Sequence, residues 1–310
     1  MTKKIAFIFP GQGSQVVGML NALSEQFPLV VQTFSIASAA LGYDLWQLVQ
    51  QGPAEKLNQT MYTQPALLTA SVAIWRVWSA QSGAKPVMMA GHSLGEYSAL
   101  VCAGALDLAT AVCLVTDRGR FMQEAVPAGE GAMAAIVGLD DKKVQEVCDM
   151  AAQGDVVSPV NYNAIGQVVV AGKATAVERV LQLAQEQGAK LAMKLPVSVP
   201  SHCVLMKPAA ERLKAQLNNI SLQTPAMRVI NNVDVAVSHD PAAIKDALVR
   251  QLYNPVRWVE TIQFMAKQEI ELFIECGPGK VLAGLNKRID SNLTTLSIND
   301  PQNLAQALSN

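Results

Sequence analysis

Val87-Met88-Met89-Ala90-Gly91-His92-Ser93-Leu94-Gly95-Glu96-Tyr97 is the stretch from which the fold is read. A short apolar run stops at Gly-x-Ser-x-Gly, and a segment of helix formers starts directly after it. That order describes a nucleophile elbow, in which a strand ends, the chain turns sharply and a helix begins. Gly91 and Gly95 carry no Cβ, so strand and helix can approach closely while the serine sits on a strained tip. The unpaired N–H groups at the start of the helix point towards that serine and favour negative charge there. The pattern alone arises often by chance. Between a buried strand and a helix it marks Ser93 as a nucleophile.

Outward from the elbow, strands alternate with helices. Residues 5–9 read as a buried strand that runs into Pro10-Gly11-Gln12-Gly13-Ser14-Gln15. A Gly-rich loop after a strand can cradle phosphate, but this one lacks the third glycine of a dinucleotide fingerprint, and a tight turn into the next helix is the favoured of the two readings. Helices are expected at 18–27, 30–41 and 44–51, and at 66–79 with Pro65 at its N-terminal end. Trp75 and Trp78 fall at core spacing on the last of these. Further helices are expected at 94–103 and 108–125. At Pro127-Ala128-Gly129-Glu130-Gly131 the texture changes. Strand 132–139, helix 142–153, strands 156–161 and 167–171, helix 174–187 and strand 189–195 follow in β-α-β-β-α-β order, that of a ferredoxin-like unit. Beyond it come helix 206–218, strand 229–232, helices 241–252 and 258–267 and strand 272–276; residues 280–288 close the core pattern, and 294–298 reads as a last short strand. The expected architecture is a large α/β hydrolase-like domain (1–126 and 198–310) with a parallel sheet and an inserted small ferredoxin-like domain (127–197). Sites gather at the C-terminal ends of parallel strands, and the polar exits at Gln12, Ser93 and Asn231 are candidates for one rim.

Composition narrows the function classes. The chain has 310 residues, half of them apolar, and a formal net charge of -1, which argues against a non-specific nucleic-acid binder. Five cysteines, at 102, 113, 148, 203 and 276, form no C-x-x-C pair and suggest neither a disulfide framework nor a metal site. The apolar run after Met1-Thr2-Lys3-Lys4 is too short for a signal-peptide core, and no run approaches the ~20 apolar residues of a membrane span. A cytoplasmic protein is expected.

A serine hydroxyl needs a positioned base, and the chain holds three histidines. His92 adjoins Ser93 and points to the opposite side of the strand end, where it buttresses the elbow. His239, in a turn-rich polar loop, reads as a solvated surface residue. His202, in Val199-Pro200-Ser201-His202, is left as the general base. No acid announces itself as its partner: Asp234 and Glu275 are available but unsupported by spacing, and a backbone carbonyl would serve as well. Arg118 and Arg120 lie on the helix after the elbow helix, between apolar stretches, so that one guanidinium can point inward. An inward arginine beside the serine suits a substrate carboxylate, because its fork meets two oxygens in parallel.

Phe9-Pro10-Gly11-Gln12-Gly13-Ser14-Gln15, Gln64-Pro65-Ala66, Gly91-His92-Ser93-Leu94-Gly95-Glu96-Tyr97, Arg118-Gly119-Arg120, Val199-Pro200-Ser201-His202 and Gly277-Pro278-Gly279 together resemble the malonyl-CoA:acyl carrier protein transacylases of bacterial type II fatty acid synthesis. The resemblance spans essentially the whole chain. It implies ping-pong transfer of malonyl from coenzyme A to Ser93 and on to the phosphopantetheine thiol of an acidic acyl carrier protein, by a monomer without cofactor or metal. It further implies that His202 is the general acid/base and that the backbone N–H groups of Gln12 and Leu94 form the oxyanion hole. By the same resemblance the backbone carbonyl of Gln251 orients His202, Arg118 binds the malonyl carboxylate, and Gln64 and Asn163 belong to the substrate pocket. One departure stands out: relatives often read Asn-x-Pro where this chain has Asn163-Ala164-Ile165.

Two other classes share parts of this pattern. A serine esterase or thioesterase would use the same Ser93–His202 pair and let water deacylate it. A non-catalytic carrier-protein-binding module would need neither residue. Arg118 and the small domain favour the transferase.

Overall fold

An unbroken apolar run such as Ile5-Ala6-Phe7-Ile8-Phe9 suits a strand covered on both faces. In the computed structural model, which describes residues 3–197 and 199–310, it forms β1 (Ile5–Phe9), buried throughout. Next comes β2 (Met88–Gly91), the strand of the elbow. The changed texture after residue 127 becomes β3 (Gly131–Val137), β4 (Val157–Ala164), β5 (Gln167–Lys173) and β6 (Leu191–Lys194), with helices Asp141–Ala152 and Ala174–Glu186 between them. The chain then returns through β7 (Arg228–Ile230), β8 (Leu272–Glu275) and β9 (Thr295–Ser297).

These strands make two sheets. One has the order β7-β2-β1-β8-β9, with every neighbouring pair parallel. The other has the order β4-β5-β3-β6, with every pair antiparallel. The second shows strict alternation. Ala132, Ala134 and Ile136 of β3, with Val168 and Val170 of β5, face the two helices of that unit. The intervening Met133, Val169 and Ala171 pack with Val160 and Cys203 on the opposite face, towards the parallel-sheet body. Period-two alternation thus gives one sheet two apolar faces.

The two sheets are joined through β4. Its register against β5 is irregular near Asn161 and Tyr162, and there its other edge pairs with the large body. The Tyr162 N–H donates to the Val256 carbonyl at 3.0 Å, and the Val256 N–H donates to the Val160 carbonyl at 2.9 Å. Ala164, at the end of β4, is buried among residues of the parallel-sheet body, including Ile8 and Trp258.

Several expected boundaries move. The helix expected at 66–79 runs Thr60–Ala80, with Pro65 inside it. Its extra first turn is stabilised by bonds from outside the helix. The Met61 N–H donates to Gln123 Oε1 at 2.9 Å, and Thr63 Oγ1 donates to the Leu57 carbonyl at 2.6 Å. The segment expected to be helical over 18–27 is helical only over Asn21–Gln26, because Gly18 and Leu20 take positive φ of 85° and 63°. Strand 229–232 shortens to Arg228–Ile230. The domain boundary expected at 198 falls on Ser198, outside the described residues.

Candidate active site

Ser93 stands where β2 ends, level with the end of β1, since Phe9 pairs with Gly91. A Cβ on Gly91 would lie 1.8 Å from the Gly95 carbonyl carbon, and one on Gly95 2.0 Å from the Phe9 carbonyl oxygen. Only glycine allows the elbow helix (Gly95–Cys102) to start this close to the two strands. Ser93 has φ of 52°, a left-handed conformation that the surroundings must hold in place. Asn232 holds it from below: its Oδ1 accepts the Ser93 N–H at 2.7 Å while its Nδ2 donates to the Gly91 carbonyl at 2.6 Å.

His202 Nε2 lies 2.8 Å from Ser93 Oγ, and its Nδ1 lies 2.8 Å from the main-chain carbonyl of Gln251. A carbonyl only accepts, so Nδ1 carries the proton and Nε2 offers its lone pair to the serine hydroxyl. Gln251 is the last residue of helix Pro241–Gln251, where main-chain carbonyls lack a helical partner. The His202 N–H donates to the next carbonyl, Leu252, at 3.0 Å. Burial first, then the charge of Arg118, pushes the imidazole down to about 3. The ring is therefore neutral at neutral pH, with its Nε2 lone pair turned to the serine hydroxyl.

Arg118 comes from helix Leu108–Ala125 and is fully buried. Its Nη2 donates to Ser93 Oγ at 3.2 Å and to Gln251 Oε1 at 2.9 Å, and its guanidinium carbon lies 5.3 Å from the Tyr97 ring centroid. Among the described residues its Nε and Nη1 have no acceptor. Arg120 points outward instead and pairs with Asp117 at 2.6 Å. Of the two arginines, 118 is the inward one.

A cavity of about 190 Å³ opens above the serine. Gln12, Ser93 and His202 line it from the parallel-sheet body; Met133, Asn163 and Leu195 line it from the antiparallel one. The main-chain N–H groups of Gln12 and Leu94 donate to no acceptor among the described residues, so both are free to meet developing negative charge. Gln64 lies behind the wall, its Nε2 donating to Gln12 Oε1 at 3.3 Å. Asn163 Oδ1 lies 2.7 Å from His92 Nε2, which makes His92 a link between the elbow and β4. Ile165, in place of the expected proline, is exposed at the β4–β5 turn. Among the described residues no cluster of three or more His, Cys, Asp or Glu could hold a metal ion.

Residues 6–296 match the family model described as an acyl transferase domain. The malonyl CoA-acyl carrier protein transacylase of Escherichia coli (strain K12) is 60% identical over 305 residues, 98% of this chain and 99% of the relative. The chain belongs to the malonyl CoA-acyl carrier protein transacylase family. The transacylase structure from Coxiella burnetii matches with a TM-score of 0.98 at 54% identity, covering 99% of this chain and 97% of that one. A malonyl-transacylase solved in complex with its type II PKS acyl-carrier protein matches with a TM-score of 0.98 at 56% identity, each chain covered to 99%.

Against this transacylase framework three sequence candidates fall away. Asn231, expected on the rim, closes a turn instead: its Nδ2 donates to the Ala236 carbonyl and its Oδ1 accepts the Asp234 N–H. The neighbour Asn232 is the one that reaches the elbow. Asp234 is paired with Arg250 at 2.7 and 2.9 Å on the surface. Glu275 is buried but accepts the N–H groups of Leu282 and Ala283 at the start of helix Val281–Ile289. His239 is exposed, as expected. Sequence reasoning missed Asn232, Glu96 and Asn161. Asn161 lines the cavity two residues from Asn163, and the same-face rule along β4 was the available signal.

Proposed function

We infer that this chain transfers malonyl from malonyl-CoA through an acyl-serine intermediate to the phosphopantetheine thiol of an acyl carrier protein, in fatty acid biosynthesis. The observation that carries the reading is the buried Arg118 guanidinium, one nitrogen on Ser93 Oγ and two without an acceptor. Buried guanidinium N–H groups without acceptors are costly, and a substrate carboxylate arriving beside Ser93 removes that cost.

In the first half-reaction Ser93 Oγ attacks the thioester carbonyl and passes its proton to His202 Nε2. The oxyanion rests on the N–H groups of Gln12 and Leu94, and Gln251 steadies the imidazolium through its carbonyl. Collapse expels the coenzyme A thiolate, which takes the proton from His202. In the second half-reaction the carrier thiol gives its proton to His202 and the thiolate attacks the acyl-serine; collapse breaks the Ser93 Oγ–acyl bond, Ser93 Oγ takes the proton back from His202, and malonyl leaves as the carrier thioester. Gln64 shapes the pocket by steadying the Gln12 side chain, and Asn163 does so from β4. No cofactor or metal takes part.

Further parts of the reading rest on topology and composition. Residues 127–197 form a ferredoxin-like small domain, a proposal supported by the β-α-β-β-α-β order and by β3 and β5 lying at the centre of their sheet. Residues 1–126 and 198–310 form a hydrolase-like catalytic domain, supported by the elbow on a parallel sheet. The carrier protein is acidic, the enzyme is a monomer, and it works in the cytoplasm. In support of the last, no described helix is long and apolar enough to cross a membrane.

The test is intact-protein mass spectrometry after mixing with malonyl-CoA. The expected result is a malonyl adduct on Ser93 that survives in buffer and moves to added carrier protein. An adduct that hydrolyses equally fast with or without the carrier would replace this reading with the esterase.

A further inference from the structure

Glu96 is a carboxylic acid sealed behind the nucleophile, 2% exposed, in the first turn of the elbow helix. It touches neither Ser93 Oγ nor His202, and the transfer chemistry gives it no task. Burying such a group is expensive unless its bonds are used. One of its oxygens gathers two of them. Oε2 accepts the Asn232 main-chain N–H at 3.0 Å and the Gln251 Nε2–H at 2.8 Å.

Those two partners hold the rest of the site. Asn232 grips the Ser93 N–H and the Gly91 carbonyl. Gln251 accepts from His202 with its main-chain carbonyl, and its side chain does three further things. Nε2 donates to Glu96 and, at 3.1 Å, to the Ser93 carbonyl, while Oε1 accepts from Arg118 at 2.9 Å. Glu96 Oε2 already accepts the Asn232 N–H, so it is an acceptor whether or not the other oxygen carries a proton, and a guanidinium only donates. Between Glu96 and Arg118, therefore, only one orientation of the Gln251 amide satisfies both ends. The flipped amide would set oxygen against carboxylate and N–H against guanidinium.

We propose that Glu96 is a positioning residue which, by locking the Gln251 amide, aims Arg118 at the acyl carboxylate and so sets the preference for malonyl. The proposal rests on the reading of Arg118 as the carboxylate site. The Arg118 side chain is long and rotamer-rich, so its guanidinium must be held in direction by its partners. Gln251 Oε1 and Ser93 Oγ are its hydrogen-bond acceptors among the described residues, so releasing the amide releases half of its tether.

The experiment compares wild type, Glu96→Gln, Glu96→Ala and Arg118→Ala. For each, kcat/KM for acylation of Ser93 is measured with malonyl-CoA and with acetyl-CoA, which lacks the carboxylate. Glu96→Gln keeps size and shape but no longer forbids the flipped amide. Its malonyl-to-acetyl ratio is expected to fall about tenfold, with Glu96→Ala falling at least as far. A merely structural role lowers the active fraction, slows both donors alike and leaves the ratio at the wild-type value. That outcome in Glu96→Gln overturns the proposal even if Glu96→Ala fails to fold. If Glu96→Gln keeps the ratio while Arg118→Ala loses it, the carboxylate reading stands and the role of Glu96 falls. If Arg118→Ala itself keeps the ratio, the carboxylate reading fails and the proposal fails with it.

Discussion

On one side of the elbow Ser93 meets His202 at 2.8 Å and Arg118 at 3.2 Å, with Gln251 and Asn232 bonded behind them. Every one of these residues comes from the parallel-sheet body. On the other side His92 reaches out to Asn163 at 2.7 Å, across to β4 of the antiparallel sheet. The inner side is a closed network in which each member restrains the next. The outer side is one hydrogen bond and a mainly apolar wall of Met133, Val169 and Leu195, with Asn161 beside them. The difference separates two tasks: atoms that must be placed to a fraction of an ångström belong to one rigid body, and the second body shapes the space above them.

The hardest blow to this division is dealt at its centre. Replacing His202 by Ala is expected to slow Ser93 acylation by on the order of 10⁶-fold, read by single-turnover mass spectrometry. A loss below about 100-fold would move the proton acceptor elsewhere. Next comes Arg118→Ala, which should cut the malonyl preference over acetyl by ~1.5–3 kcal/mol, the worth of a charged hydrogen-bonded pair. Competition between the two thioesters measures it, and an unchanged preference would place the carboxylate on another group.

On the outer side Asn163→Ala should be milder. It strands a part-buried His92 nitrogen and is expected to lower stability by ~1 kcal/mol, seen as an earlier unfolding midpoint in urea. Both acyl donors should slow together. A selective loss of malonyl transfer would show that β4 reads the acyl group after all, and the division would break.

The gentlest probe is pH. Folded His202 titrates at about 3, against 6.5 ordinarily, so between those values the unfolded chain binds the extra proton. Its contribution to stability is present above pH 6.5 and is lost as pH falls towards 3. Glu96 runs the other way: burial raises it from 4.5 to about 7, and the folded chain holds the proton in that window. Its contribution is present below pH 4.5 and is lost as pH rises through 7. Between pH 7 and pH 5 the wild-type thermal midpoint should therefore fall relative to His202→Asn and rise relative to Glu96→Gln. Shifts of the same sign would mean that one of the two groups is not held as described.

Much of the inner side is legible in the amino-acid order, because it depends on residue type. The Gly91–Gly95 spacing announces the elbow, and counting histidines leads to His202. What escapes is whatever depends on which way a side chain turns at the end of a strand. β7 stops at Ile230, and the turn that follows uses Asn231 for its own carbonyl and N–H groups. Asn232 is thereby the residue that faces the elbow, one place along from the rim candidate. The part played by Gln251 is partly invisible for another reason. Its main-chain carbonyl carries no mark in the sequence, and only family resemblance pointed to it. Glu96 lay in plain view inside the motif, but an acid three residues from the nucleophile would ordinarily be assigned to the solvent side of a helix. The β-α-β-β-α-β order was readable from alternation alone, whereas the length of β4 was not, since its last residue, Ala164, is buried in the other body.

The pairing of Val160 and Tyr162 with Val256 bears on any attempt to recombine this enzyme with its relatives. A segment joined only at its two chain ends can be exchanged as a cassette, whereas this one is also stitched along a strand to a loop about ninety residues downstream. A chimaera that imports a foreign 127–197 segment must bring the matching loop around Val256 with it, or lose the register that sets Asn163 opposite His92. The workable crossover unit is the pair of segments, not the insert alone.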